Sequence, residues 1–248
     1  PTQIPVMAHL VLGYPTLQTS IRTAEQYIAA GCAILELQVP FSHPTADGAV
    51  ITEACRVAAL DQGVSMSDCL QAIEFLRKKY PSQEIMVMSY ANRLYNFGLE
   101  RFRSEMERLE VSRLIIPDLP VDSVLIPASR RVQPVPVLAA NVTDARLECL
   151  LGLGCDFFYL MSDFKITGGT FSLHPRLAEL ATRIRLANPV ARIGVGFGIE
   201  TPEQVKAVLE VADYAIIGSA LIRAQKEGRL DQYLAVLKNM PRFTTQRV

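Results

Sequence analysis

Eight short apolar runs, each followed by a longer stretch of mixed character, organise this chain of 248 residues. They are Val6–Leu12, Ala33–Val39, Ile85–Ser89, Arg113–Ile116, Val135–Ala139, Phe157–Met161, Arg192–Val195 and Tyr214–Ile217. Apolar residues succeed one another within these runs, the pattern of parallel strands covered on both faces. Helical periods lie between them. Ile21, Ala24 and Ile28 share one face; Leu70, Ile73 and Leu76 share another before Pro81 stops the pattern. Phe102, Met106 and Leu109 form a third stripe, and Leu177, Leu180 and Ile184 a fourth. Thr201-Pro-Glu-Gln204 has the make-up of a helix start, with a threonine cap, proline in the first turn and glutamine three residues on. Strict alternation of strand and helix predicts an α/β fold, a single (β/α)8 TIM barrel over residues 1–248, and the length matches the roughly 250 residues such barrels need. An open doubly wound sheet is the alternative topology.

Composition excludes several function classes. Twenty-five basic and 25 acidic residues balance to zero net charge, and the longest basic cluster is Arg77-Lys78-Lys79. That triplet closes a predicted helix, where cations suit the dipole, and reads as a solvated helix end. No nucleic-acid or membrane-surface partner is expected. No apolar run approaches the 18 or so residues of a membrane span. Pro1 to Leu12 lacks the layout of a signal peptide, so the chain is expected to be cytoplasmic. The five cysteines lie in or beside apolar runs without a CxxC pair and read as reduced core thiols. His9, His43 and His174 show no metal-ligand spacing. Neither metal nor cofactor is expected.

In a barrel of this kind, chemistry belongs at the C-terminal ends of the strands. Glu36 stands inside the apolar second run, where burying a charged carboxylate demands either a raised pKa or a close partner. A catalytic and a purely structural glutamate are equally compatible with that placement. The following segment, from Pro40 to Gly48, returns a second carboxylate, Asp47, towards the strand end. Asp47 alone reads as a helix cap; with Glu36 it makes a possible proton-transfer pair. Gly194-Val-Gly196-Phe197-Gly198 follows the seventh run and Gly218-Ser219 the eighth. Glycines after these two strands, with a helix opening behind them, suit phosphate bound by main-chain amides; turn geometry alone is the bland reading. Ser162 to Thr170 reads as a polar lid loop.

Taken together, the ordered motifs resemble the α subunit of tryptophan synthase over nearly the full length. They are His9-Leu-Val-Leu-Gly13-Tyr-Pro, Leu35-Glu36-Leu37, Pro40-Phe-Ser, Ala46-Asp47-Gly48, Tyr90-Ala-Asn92, Pro117-Asp-Leu-Pro120, Thr167-Gly168, Val195-Gly196-Phe-Gly198-Ile and Gly218-Ser219-Ala220. The resemblance implies a lyase that cleaves indole-3-glycerol phosphate into indole and glyceraldehyde 3-phosphate. It implies Glu36 as general acid and base at indole C3, Asp47 as the carboxylate that accepts from the indole N–H, and Tyr159 as a supporting hydroxyl. Phosphate would rest on Gly168, Phe197, Gly198, Gly218 and Ser219. The ring would lie among Met88, Tyr90, Ile115 and Leu138, with Thr167 in the lid; each of the apolar side chains, taken singly, reads as core. The implied partner is a pyridoxal-phosphate-containing β subunit. A stand-alone indole-releasing lyase and a non-enzymatic binding relative are the alternatives.

Three departures fall in loops. His43 stands where the family usually has an acidic residue and Ala49 where it has proline. Asp163-Phe164-Lys165 replaces a family pattern that ends in glycine. These positions touch lid closure and contact with a β subunit. Lys165→Gly is expected to alter KM or protection of this segment from proteolysis, with little change in stability, measured by steady-state kinetics and limited digestion.

Overall fold

Nine parallel strands pair edge to edge in the computed structural model, which describes residues 3–126, 129–162, 165–167 and 170–240, with 165–167 and 170–172 described by backbone alone. In chain order the strands are β1 (Ile4–Val11), β2 (Cys32–Gln38), β3 (Glu84–Met88), β4 (Arg113–Ile115), β5 (Gln133–Pro134), β6 (Val137–Ala139) and β7 (Phe157–Met161). A separate antiparallel hairpin follows, β8 (Lys165–Thr167) against β9 (Thr170–Ser172), before β10 (Arg192–Gly196) and β11 (Tyr214–Ile217) complete the sheet. The helices are α1 (Leu17–Ala30), α2 (Ala49–Arg56), α3 (Met66–Lys79), α4 (Ala91–Phe97), α5 (Leu99–Arg108), α6 (Asp144–Leu151), α7 (Pro175–Ala187), α8 (Pro202–Leu209), α9 (Ser219–Lys226) and α10 (Leu230–Lys238).

The sheet runs β5–β4–β3–β2–β1–β11–β10–β7–β6, so its two ends are β5 and β6. Only Val135 and Pro136 separate them. Val135 N–H donates to Leu114 O at 2.8 Å, and Pro136 O accepts from Tyr159 N–H at 2.9 Å. One kinked strand therefore pairs with β4 through its first half and β7 through its second, and the sheet closes into a (β/α)8 barrel. The uninterrupted strand expected over Val135–Ala139 is broken because Pro136 has no amide to donate.

The strict alternation predicted from sequence also fails once. Between β4 and β5 the described residues make turns and no helix. Pro117 and Pro120 open this connection, and each removes a donor that a helix would need. Elsewhere local signals match the structure. Thr201 and Gln204 form a reciprocal capping box on α8, and Ser65 and Asp68 form one on α3. His174 caps α7, accepting from Arg176 N–H at 3.2 Å, so its role is structural.

Pleating sorts the strand residues into two cores. Leu35, Leu37 and Val39 join Ile73 and Leu76 between sheet and helices. Met7, Ile34, Met86, Met88, Ile115, Phe157 and Ile216 fill the barrel itself. The strand starts are closed by ions: Glu84 Oε1 lies 3.0 Å from Arg113 and 2.7 Å from Arg192, and Arg113 reaches Asp156 at 2.5 Å. This end holds the barrel together, which leaves the opposite mouth for chemistry.

Two expectations about surface residues need correction. Arg77 is not a solvated helix end; its guanidinium donates to the carbonyls of Leu109 at 3.1 Å and Gln83 at 2.8 Å, tying α3 to two strand-leading loops. Cys149 is exposed, unlike the four buried cysteines, because it lies on the outer side of α6.

At the end of β1 the chain turns at Gly13, whose φ of +91° belongs to glycine and whose N–H donates to Ser20 Oγ at 3.0 Å. An added Cβ would lie 2.6 Å from Val64 Cγ2. Gly13→Ala is expected to cost about 1–3 kcal/mol through overpacking and backbone strain, read from urea unfolding midpoints at unchanged m-value.

Candidate functional site

At the C-terminal mouth lies a cavity of about 190 Å³, lined by residues from most of the barrel's strands and loops. Glu36, Asp47, Met88, Ile115, Tyr159, Phe197, Gly198, Gly218 and Ser219 all border it. Nine positions singled out from sequence thus meet around one space.

Glu36 points inward from β2, 2 % exposed. Its close partner is His9, which sits opposite it in register on β1. His9 Nδ1 lies 3.4 Å from Glu36 Oε2. Neither Glu36 Oε2 nor His9 Nε2 has a hydrogen-bond partner among the described residues. Burial pulls the imidazole's pKa down, but the charges of Glu36 and Asp47 and the nearby polar groups of Glu36 and Gln38 outweigh it, and the net direction is up.

Asp47 is held from two sides. Gln38, two residues beyond Glu36 on the same inward face, donates Nε2–H to Asp47 Oδ2 at 2.7 Å. Tyr90 donates its O–H to the same oxygen at 2.9 Å while accepting from Ala46 N–H at 3.0 Å. The helix-cap reading of Asp47 is therefore wrong, since Gly48 occupies the N-cap of α2 and no side chain caps it. Burial pushes the Asp47 carboxyl up, while His9 and the bonds from Gln38 and Tyr90 pull it down; the net direction is up. Tyr90 is fully buried, stacked on Phe41 at 5.2 Å between ring centroids, and stands behind Asp47 without bordering the cavity.

Across the mouth, Tyr159 projects from β7 and meets Phe197 edge-on at 5.9 Å. Burial, then the charges of Glu36 and Asp47, push the phenol well above its ordinary pKa and keep it a donor. Gly196 makes the space, because a Cβ there would collide with the Tyr159 ring. That glycine serves packing. Phe197 and Gly198 both have positive φ, 75° and 72°, which bends the chain sharply after β10. Ser162 Oγ donates to Gly196 O at 2.7 Å and also to Phe197 O, anchoring the bend. Beside it Gly218 caps α9, whose first-turn amides have no intrahelical acceptor.

Leu138 does not belong to the ring-binding wall. It packs among the outer core residues, and its neighbour Val137 borders the cavity instead. The pleat decides this, because successive strand side chains point to opposite faces. Gly168 and Asp163 lie outside the described residues, as does the Thr167 side chain. Part of the expected lid loop is the hairpin β8–β9, and Lys165 pairs there with Ser172. An extended, paired backbone has no use for the positive φ that a glycine would permit. His43 is exposed, and its Nδ1 lies 2.8 Å from Ser42 Oγ. Sequence reasoning missed His9, Gln38, Val137 and Ser162 as site residues. His9 carried a usable signal, an imidazole in a strand run on the same parity as Met7.

A family model described as "Tryptophan synthase alpha chain" matches residues 3–245. The chain belongs to the tryptophan synthase alpha chain family. Its members are lyases of tryptophan biosynthesis, and this chain acts as an α subunit. A tryptophan synthase alpha chain from Chloroflexus aggregans is 34% identical over 89% of this chain and 83% of its own. One from Syntrophotalea carbinolica is 31% identical over 95% and 93%. Among solved structures, tryptophan synthase from Mycobacterium tuberculosis superposes with a TM-score of 0.83 at 27% identity, covering 98% of this chain and 94% of that one. The tryptophan synthase subunit alpha from Campylobacter jejuni gives 0.81 at 29% identity, with 97% of each chain covered.

The His9–Glu36 contact makes stability depend on pH in a definite direction. The folded-state pKa of His9 is raised above 6.5, so its contribution is complete below 6.5 and is lost as pH rises through the folded value. His9→Asn is expected to be more destabilising at acid pH than at alkaline pH, measured by chemical denaturation on both sides of this range.

Proposed function

We propose that residues 1–248 form one barrel domain that cleaves the bond between indole C3 and the glycerol side chain of indole-3-glycerol phosphate. A single observation carries this reading: the Glu36 and Asp47 carboxylates and the main chain at Gly198, Gly218 and Ser219 border the same cavity. A ligand with a heteroaromatic ring at one end and a phosphoester at the other fits that division.

Glu36 protonates C3, converting the indole into a cationic indolenine whose C3–carbon bond can break. Asp47 accepts from the ring N–H and offsets its developing positive charge, a task suited to a carboxylate already oriented by Gln38 and Tyr90. Both of those donors engage Oδ2. Met88, Ile115 and Val137 flank the ring, and Tyr159 supplies a hydroxyl beside the acid. The phosphate rests on main-chain N–H groups of Phe197, Gly198, Gly218 and Ser219, where the dipole of α9 favours an anion. Gly168 is proposed as a further phosphate contact and Thr167 as a further substrate contact.

The family also supports a β subunit partner containing pyridoxal phosphate. Exposed His43 and the Asp163–Lys165 segment are the positions proposed to face it. No helix among the described residues is long and apolar enough to cross a membrane, and we propose a cytoplasmic location.

Indole release from indole-3-glycerol phosphate, assayed with and without a β subunit, tests the reading. Glu36→Gln and Asp47→Asn are each expected to lower turnover by about 10²-fold or more. Wild-type turnover in both variants would sink it. Stimulation by the β subunit is expected; equal rates without it would assign the chain to free indole production instead.

A further inference from the structure

We propose that His9 is the base that takes the proton from the substrate's carbinol hydroxyl, the group on the carbon bonded to indole C3. This deepens the proposed lyase function and rests on it.

Position is the first support. The strand order places β1 between β2 and β11. β2 carries Glu36, and Gly218 of the phosphate seat directly follows β11. A glycerol chain that starts at C3 beside Glu36 and ends in a phosphate at Gly218 must pass the side chain of β1 that lies between them. His9 is that side chain. Its Nδ1 is 3.4 Å from Glu36 Oε2, and a Cβ added to Gly218 would lie 3.4 Å from His9 Cδ2. The imidazole bridges the two ends of the site.

Chemistry is the second. His9 borders the cavity at 3 % exposure, and its Nε2 has no partner among the described residues. A buried ring nitrogen left unpaired beside a cavity is costly unless a ligand satisfies it. The groups that act on it are Glu36, Asp47 and the amide of Gln38, Tyr159 lines the same cavity, and the two carboxylates favour a cation there. The imidazole can thus accept a proton in place.

The step balances. The His9–Glu36 pair reacts through its neutral tautomer, in which one proton lies on Glu36 Oε1 and His9 keeps the other on Nδ1, directed at Oε2. Glu36 gives its proton to C3. The carbinol O–H then gives its proton to His9 Nε2, the oxygen forms the aldehyde C=O, and the electrons of the broken C3–carbon bond return to the indole ring. A carboxylate and an imidazolium remain side by side. When products leave, water carries the Nε2 proton back to Glu36. Separating the two transfers lets the acid and base each act from its own position, with no need for one carboxyl to travel between C3 and the hydroxyl oxygen. The 3.4 Å contact is expected to shorten on binding, as catalytic hydrogen bonds often do.

Two reactions of the full-length chain separate this role from mere support of Glu36. Cleavage of indole-3-glycerol phosphate needs both proton transfers. Exchange of the indole C3 proton with D2O, followed by NMR, needs Glu36 alone. His9→Asn is expected to lower the cleavage kcat by about 10²-fold while C3 exchange stays within about threefold of wild type. His9→Gln, checked for folding by circular dichroism, repeats the comparison. Equal losses in both reactions would overturn the proposal, because His9 would then only hold Glu36 in place. Unchanged cleavage in the variants would overturn it as well. A wild-type chain that neither cleaves the substrate nor exchanges the proton would instead sink the parent function, and this role with it.

Discussion

Along the second strand the pleat turns Glu36 and Gln38 into the barrel and Leu35, Leu37 and Val39 towards the helices. The site depends on this parity. A shift of one residue would bury the same carboxylate among leucines of the helix layer, without a partner, and would expose apolar side chains to the mouth. The apolar outward face anchors the strand so firmly that its inward face can carry two polar groups near the end. One opposes His9 across the β1 pairing, and the other reaches forward to fix Asp47.

Polar groups at the mouth are arranged as a chain of supports. Phe41 stacks on Tyr90, Tyr90 and Gln38 hold Asp47, and the Asp47 carboxylate lies within reach of the His9–Glu36 pair electrostatically. On the far side Ser162 ties the end of β7 to the bend at Phe197 and Gly198, so one hydroxyl anchors both the end of that strand and the proposed phosphate seat. Fixed donors of this kind need little reorganisation when charge develops during reaction. The opposite end of the barrel carries the Glu84–Arg113–Arg192 cluster, which leaves stability and chemistry on separate faces.

Much of this was legible in the residues. Eight apolar runs and the capping signals at Thr201 gave the barrel and its helices, and the ordered motifs gave Glu36, Asp47 and the glycines after β10 and β11. The errors have separate origins. Leu138 was placed in the wall and Val137 was not, because hydrophobicity does not reveal which face a fully buried strand residue takes. The apolar run Val135–Ala139 is broken by Pro136, and prolines forbid the helix that strict alternation predicts after β4. Gly196 resembled a phosphate-loop glycine and proves to make room for Tyr159.

Sequence alone determined the class of fold and singled out the two carboxylates that border the cavity, because periodicity and motif order are properties of the chain taken in one dimension. Only the tertiary structure decided that Asp47 is a braced carboxylate and not a helix cap, that Tyr90 stands behind it, and that His9 is the neighbour of Glu36. The physical reason is sheet closure. His9 and Glu36 are 27 positions apart in the chain and meet because β1 and β2 pair in parallel register, which no local pattern of residues encodes.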